Sequence, residues 1–456
     1  MFKFSHKVAL PKAIFALVSA IFLVLAQSLP AMAQSLLRDT EIEETLQDYT
    51  TPILRAAGLS PSAVDLFLVN DPSLNAFVTR GQKIFLHSGI ILKSDTPNQL
   101  KGVIAHEAGH IAGGHIVRSD YGNRSATGAW LIAAGIGLAA ILAGEGSAGA
   151  LILGGSQQFG AIEALAYSRV NESAADQYAF RYMEATGQSS QGLIDFFDRF
   201  RAQEVLSNAR RFPYFRGHPL SADRIDALRE RVEESPHTGK LDSEKDQHRL
   251  EMAQAKLRGF LDGPQLVFSY YPPEDKSRPA RYARAVAHFK NADLKNGLRE
   301  IDSLIEEEPD NPYFYELKAQ ILYESGRGAQ SIAPARKALE LKPDAPLLEI
   351  ALATSLLETS DRPQVEESVE LLKTALTRES TNGFGWYTLS RAYGELGQEA
   401  LAKYATAEQA YALGDLQRAR QFAKRAQDDL PRNQPHWRRA ADIIVIADTK
   451  NTKRRR

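Results

Sequence analysis

The sequence predicts a mainly α protein with a small β-sheet, an α+β domain followed by an all-α solenoid of tetratricopeptide type. Three observations predict it. Strand-like apolar segments cluster between residues 64 and 87 and are separated by turn residues. Helical periodicity takes over beyond Pro97. Past about residue 280 the helical signals recur, with Pro309 and Pro343 set 34 residues apart. At 456 residues the chain is too long for one ordinary core, and 44% hydrophobic with 24% charged residues is the composition of a packed protein.

At the N-terminus, Lys3, Lys7 and Lys12 precede an uncharged apolar run from Ala13 to Ala26, and Ala31-Met32-Ala33 supplies small residues at the spacing of a signal-peptidase site. Residues 1–33 therefore read as an export signal cleaved after Ala33. The run is short for a bilayer span and ends in Gln27, Ser28 and Pro30. There is no cysteine, so the chain does not rely on disulfides and any metal site must use His, Asp or Glu. With 55 basic and 56 acidic side chains the net charge is −1, which gives no field for drawing in nucleic acid.

Residues 34–235 form the first domain in this reading. An acidic helical stretch from Glu41 to Tyr49 leads to the β-rich Val64 to Val69. Two more strands follow at Ala76 to Thr79 and Lys83 to His87, around the turn Arg80-Gly81-Gln82. Leu100, Val103 and Ile104 then mark one apolar face of a helix. An apolar, small-residue stretch at 127–155 has two readings: a buried helical hairpin, or a mobile plug or membrane-touching segment beside the active site. Its two apolar pieces are each too short to span a bilayer.

Residues 236–280 are polar and then proline-rich, and read as a linker with connecting helices. Residues 281–435 carry the repeats. Ala319, Gly326, Ala338 and Pro343 fall where such a unit needs small, turn, small and terminating residues; Trp386, Tyr393, Gly397 and Ala402 mark another unit, and Gly414, Ala419, Ala426 and Pro431 a further one. One helix pair cannot bury its own apolar face, so several must stack, and stacking generates a concave surface suited to holding another polypeptide. Residues 436–456 read as a C-terminal tail ending in Lys453-Arg454-Arg455-Arg456, frayed and solvated or in contact with acidic lipid or a partner.

The chemistry concentrates in His106-Glu107-Ala108-Gly109-His110. Histidines four apart on a helix share a face one turn from each other, so both imidazoles can reach one ion. Zinc needs a third protein ligand and keeps one open position for water. Glu107, beside the first histidine, points toward that water and can take its proton as general base. The best candidate for the third ligand is Glu172, with small residues behind it that permit close helix approach; Asp176, one turn on, can accept a hydrogen bond from a ligand imidazole. His115 lies five positions past His110, roughly 140° further round a helix, and reads as a non-ligand.

His106-Glu107-Ala108-Gly109-His110 followed by Glu172-Ser173-Ala174-Ala175-Asp176 resembles the gluzincin peptidases of the HtpX and Oma type, and an export signal before with repeats after is similar to the periplasmic members of that group. The resemblance implies one Zn2+ per chain held by His106, His110 and Glu172, with Glu107 as catalytic base and the first domain as a gluzincin metalloprotease domain. Asn75-Ala76-Phe77 looks like the group's edge strand beside the cleft, where an extended substrate adds as a further strand. The segment from His218 to Ile225 resembles a His-Pro segment near the metal. By resemblance His218 occupies the open zinc position and holds the enzyme latent; in the other reading His218 or Arg224 stabilises the oxyanion. Relatives carry cysteines in the repeats, and this chain has none.

The implied function is an exported zinc endopeptidase that cleaves misfolded or stalled envelope proteins in the periplasm, its repeats docking substrate or the outer-membrane β-barrel assembly complex. The alternative is a chaperone or adaptor that works through the repeats.

Overall fold

The computed structural model describes residues 36–115, 169–206, 218 and 222–454. The export segment, the apolar stretch at 127–155 and residues 219–221 of the His-Pro segment lie outside the described residues.

Helix α1 (Thr40–Ala56) starts where the Asp39 carboxylate accepts the Ile42 N–H, with Glu41 and Glu43 in its first turn facing the positive end of the helix dipole. Its buried stripe, Ile42, Leu46, Tyr49 and Ile53, has helical spacing. Strands β1 (Leu36–Leu37), β2 (Asp65–Val69), β3 (Ala76–Thr79) and β4 (Lys83–His87) form one sheet in the order β1-β2-β4-β3. β2 runs parallel to β4 with Leu68 beside Leu86, and β3 runs antiparallel with Phe77 opposite Phe85. Alternation decides the faces. Leu68, Ile84, Leu86 and Ala76 are buried, while Phe67, Phe85 and Phe77 stack across the other face at 5.0 Å centroid spacing. β1 has two residues, too few to show a period in the sequence.

Helix α2 (Ser88–Lys93) follows β4 directly, and α3 (Pro97–Ala112) begins with Pro97 at its first turn and the Thr96 hydroxyl accepting the Gln99 N–H. Every residue of α3 from Pro97 to His110 is buried. Around it lie α4 (169–185), α5 (Gln191–Leu206) and α6 (Ala222–Glu233). Gly102 and Gly192 set the distance between α3 and α5: a side-chain carbon on Gly102 would meet Leu193 Cβ at 2.9 Å, and one on Gly192 would meet the Asn98 carbonyl carbon at 2.5 Å.

The segment expected as a connection holds two helices, α7 (Glu244–Leu261) and α8 (Pro264–Tyr270). α7 belongs to both parts of the molecule. Its Leu250, Ala253 and Leu257 complete the first core, while Met252 and Ala255 pack on the opposite side against the repeats. The solenoid continues through α9 (Arg278–Lys290), α10 (Leu294–Glu307), α11 (Pro312–Glu324), α12 (Gly328–Leu341), α13 (Pro346–Leu357), α14 (Arg362–Arg378), α15 (Gly383–Glu395), α16 (Glu399–Ala412) and α17 (Leu416–Asp429). Gly326, Gly397 and Gly414 sit in inter-helix turns at φ of 74°, 72° and 76°, a conformation that disfavours other residues. Ala319, Ala338, Ala419 and Ala426 are buried where neighbouring helices touch.

The expected tail is corrected at this point: α18 (Pro435–Arg454) is helical almost to the end of the chain, and its Ala440, Ile443 and Ala447 are buried. Apolar residues three and four apart in that segment give the stripe that the basic composition obscured. Among the described residues no helix is long and apolar enough to cross a membrane.

Polar contacts join α1 to the repeats. Tyr282 donates to Glu41 at 2.8 Å, Arg38 reaches Glu379 at 2.8 Å, and the buried Lys256 ammonium lies 2.6 Å from Asp39 and 3.4 Å from both Glu41 and Glu316.

Candidate metal centre

Helix α3 presents His106 and His110 to a cleft whose opposite wall is α4. Gly109, between them, makes that approach possible: a side-chain carbon there would meet the Ala175 carbonyl oxygen and Tyr178 Cβ at 3.0 Å. Glu172 and Asp176, one turn apart on α4, thereby face the two imidazoles.

One ligating atom from each of His106, His110, Glu172 and His218 lies within 4.8 Å of the others, and all four residues are buried. The spacings are close to uniform. His106 Nε2 is 3.1 Å from His110 Nε2, 3.3 Å from Glu172 Oε2 and 3.3 Å from His218 Nδ1. Glu172 Oε1 is 3.3 Å from His110 Nε2, and Oε2 is 3.0 Å from His218 Nδ1. A tetrahedral zinc with bonds of about 2.0–2.1 Å has ligand atoms about 3.3 Å apart, so the donor set suits such an ion in chemistry, and the 3.1–3.3 Å distances from His106 Nε2 to the other three residues match that spacing.

The surrounding shell orients these groups. A carboxylate only accepts, so His106 Nδ1, 2.9 Å from Asp176 Oδ1, carries a proton, and Nε2 is the ring atom directed at the cluster. Arg224, from the first turn of α6, holds Asp176 with two bonds, Nε to Oδ2 at 2.7 Å and Nη2 to Oδ1 at 2.9 Å, and its Nη1 lies 3.4 Å from Glu172. Phe197 on α5 closes the pocket, edge-on to His106 and beneath the Arg224 guanidinium.

Burial raises the Glu172 carboxyl, but hydrogen bonds to His106, His110 and His218 outweigh it and hold the group well below the usual carboxylate range. Asp176 behaves in the same way, burial being overcome by His106 and Arg224. Burial lowers His106, yet the bonds to Asp176 and Glu172 hold it up at about 10. For His110 burial wins, and its pKa falls below the usual value.

Glu107 differs from these. Its side chain is fully buried, and neither carboxylate oxygen has a hydrogen-bond partner among the described residues. His218 Nε2 lies 3.5 Å from its Oε1. The His218 ring thus stands between the cluster, on its Nδ1 side, and Glu107, on its Nε2 side.

Asn75, Ala76 and Phe77 lie at the sheet edge beside α3. Asn75 accepts the His87 N–H at 2.9 Å, so the bonding pattern alternates and the Ala76 backbone groups turn away from β4. Among the described residues no strand pairs with that outer edge.

His115 is the residue whose part the sequence reading did not anticipate. Its Nδ1 is 3.0 Å from His110 Nδ1 and it is buried. The helical angle used to set it aside no longer applies, because α3 ends at Ala112 and Gly114 takes a φ of +66°. The two glycines after Ala112 were the available signal.

Residues 37–232 match the peptidase family M48, and residues 282–346 match a tetratricopeptide repeat. The chain is similar to the beta-barrel assembly-enhancing protease of Escherichia coli (strain K12), 26% identical over 76% of this chain and 70% of that one. It is also similar to the putative beta-barrel assembly-enhancing protease of Vibrio cholerae, 25% identical over 80% and 76%. The metalloprotease YcaL of E. coli is 30% identical over 38% of this chain and 63% of its own length.

Proposed function

From a chain that carries a peptidase family M48 domain over residues 37–232 and a tetratricopeptide repeat behind it, we propose a periplasmic zinc metalloendopeptidase of outer-membrane protein quality control. His106, His110 and Glu172 hold one zinc ion, Glu107 is the general base, and His218 keeps the resting enzyme latent. The observation that carries this reading is the convergence of four buried donors within 4.8 Å of one another, beside a buried carboxylate whose oxygens have no hydrogen-bond partner among the described residues.

When bound, zinc acidifies a water molecule and polarises the scissile carbonyl. Glu107 takes the proton from the attacking water and passes it to the leaving amine. Asp176 and Arg224 keep the His106 ring turned with Nε2 toward the ion. The His218 ring fills the space between the cluster and Glu107, so attack requires that it swing out. An extended, unfolded segment of substrate adds to the outer edge of β3 through its backbone, which tolerates many side chains. The stacked repeats offer a surface for holding the rest of that polypeptide, or for docking on the β-barrel assembly machinery. The names of the relatives support a role in outer-membrane protein biogenesis, and the leader at residues 1–33 supports export.

The test is Glu107→Gln in the exported chain, with zinc content and cleavage of an unfolded outer-membrane protein measured together. Retained zinc with cleavage lowered about 10²- to 10⁴-fold is expected. Unchanged cleavage, or a wild-type chain without zinc, overturns the reading.

A further inference from the structure

We propose that His115 is a positioning residue of the metal centre: it accepts the Nδ1 proton of His110 and fixes the ring whose Nε2 faces the ion. The inference rests on the metallopeptidase reading and deepens it.

The two histidines of α3 need the same thing from their surroundings. Each turns Nε2 to the cluster, 3.1 Å from the other, so each must carry its proton on Nδ1 and have an acceptor there. For His106 the acceptor is Asp176. For His110 the atom opposite is His115 Nδ1, at 3.0 Å. An imidazole accepts only through an unprotonated nitrogen, so His115 is neutral at Nδ1 and keeps its proton on Nε2. The two ligand rings are thus held by different chemistry, one by a carboxylate and one by a neutral imidazole.

The chain is built to put the His115 ring there. A side chain on Gly113 would run into that ring, so glycine leaves the space it occupies. Gly114, at φ +66°, turns the chain back after the last turn of α3. The ring stands nearly perpendicular to His110, at 5.0 Å and 81°, and meets Tyr178 of α4 at 6.4 Å. Tyr178 also flanks Gly109, so one aromatic side chain supports both the helix approach and the histidine pair.

The experiment uses the full mature chain and three variants, with zinc affinity measured by competition against a chelator and kcat and KM measured on denatured casein. His115→Leu removes the acceptor and is expected to weaken zinc binding about 10- to 100-fold and to lower kcat with KM little changed. His115→Gln restores an acceptor oxygen and is expected to recover most of the loss. Gly113→Ala displaces the ring while leaving His115 in the sequence, and is expected to reproduce the defect of His115→Leu. Thermal unfolding of each zinc-free variant separates this from collapse of the fold, and the Gln and Ala variants carry the test if the Leu variant does not fold. Equal zinc affinity in wild type and His115→Leu, or a Gln variant as impaired as the Leu variant, overturns the proposal. A wild-type chain that binds no zinc overturns the metallopeptidase reading itself, a different result from zinc binding that is indifferent to His115.

Discussion

His218 Nε2 lies 3.5 Å from Glu107 Oε1, with the opposite nitrogen of the same ring 3.0 Å from Glu172 Oε2. One imidazole therefore separates the proposed base from the proposed ligands. A water molecule attacking a peptide would have to stand in that space.

His218→Ala is accordingly expected to raise peptidase activity. If the ring is displaced in about a tenth of wild-type molecules, the gain is roughly tenfold. Initial rates on an unfolded protein, at matched zinc occupancy, check this. Unchanged or lower rates would favour a role for His218 in the reaction itself.

Arg224 holds Asp176 in a two-pronged contact between buried groups. Arg224→Ala strands that carboxylate, and breaking a buried pair from one side costs about 3–5 kcal/mol. Chemical denaturation should show most of that loss. Arg224→Lys keeps the charge but not the fork, so it should recover stability better than zinc affinity. Full recovery of both by lysine would argue against the bidentate contact.

Chelation should destabilise the first domain more than the repeats. At zinc a hundredfold above its dissociation constant, binding to the native state contributes about 2.7 kcal/mol. A thermal unfolding curve whose repeat transition moves while the first domain's does not would contradict the placement of the ion.

The contact between α1 and the repeats is expected to be pH-dependent. Burial raises the Glu316 carboxyl from 4.5 to about 7, against the pull of Lys256 and with help from Asp39. A carboxyl raised on folding binds its proton more tightly in the native state. Its stabilising contribution is full below pH 4.5 and is lost as pH rises through 7. Glu316→Gln, which imitates the protonated form, should be more stable than wild type at pH 8 and about equal at pH 4.5. Parallel stability curves for the two chains would refute the assignment.

Gly192→Ala is expected to cost about 1–3 kcal/mol, because the added carbon would overlap the Asn98 backbone of α3. A neutral effect in thermal unfolding would mean that α3 and α5 can separate without strain.

Much of the architecture was legible in the residues. Three of the four strands announced themselves by short apolar runs and a glycine turn, and the 34-residue recurrence declared the repeats, because both depend on local periodicity. α18 did not declare itself, since its charged composition masked Ala440, Ile443 and Ala447. α7 read as a connection because a helix buried on two opposite sides, by Leu250 and Leu257 toward one core and Met252 toward another, lacks a single apolar stripe.

By itself the sequence determined that His106, Glu107 and His110 share one stretch of helix, since four residues make about one turn. It also supplied the carboxylates of Glu172 and Asp176 in a second such stretch. Only the tertiary structure decided what those groups meet. Asp176 between His106 and Arg224, His218 beside Glu107, and His115 against His110 are contacts between segments, or across a helix end, where a left-handed glycine breaks the periodic rule. Periodicity reports what one element presents; packing alone reports what stands opposite it.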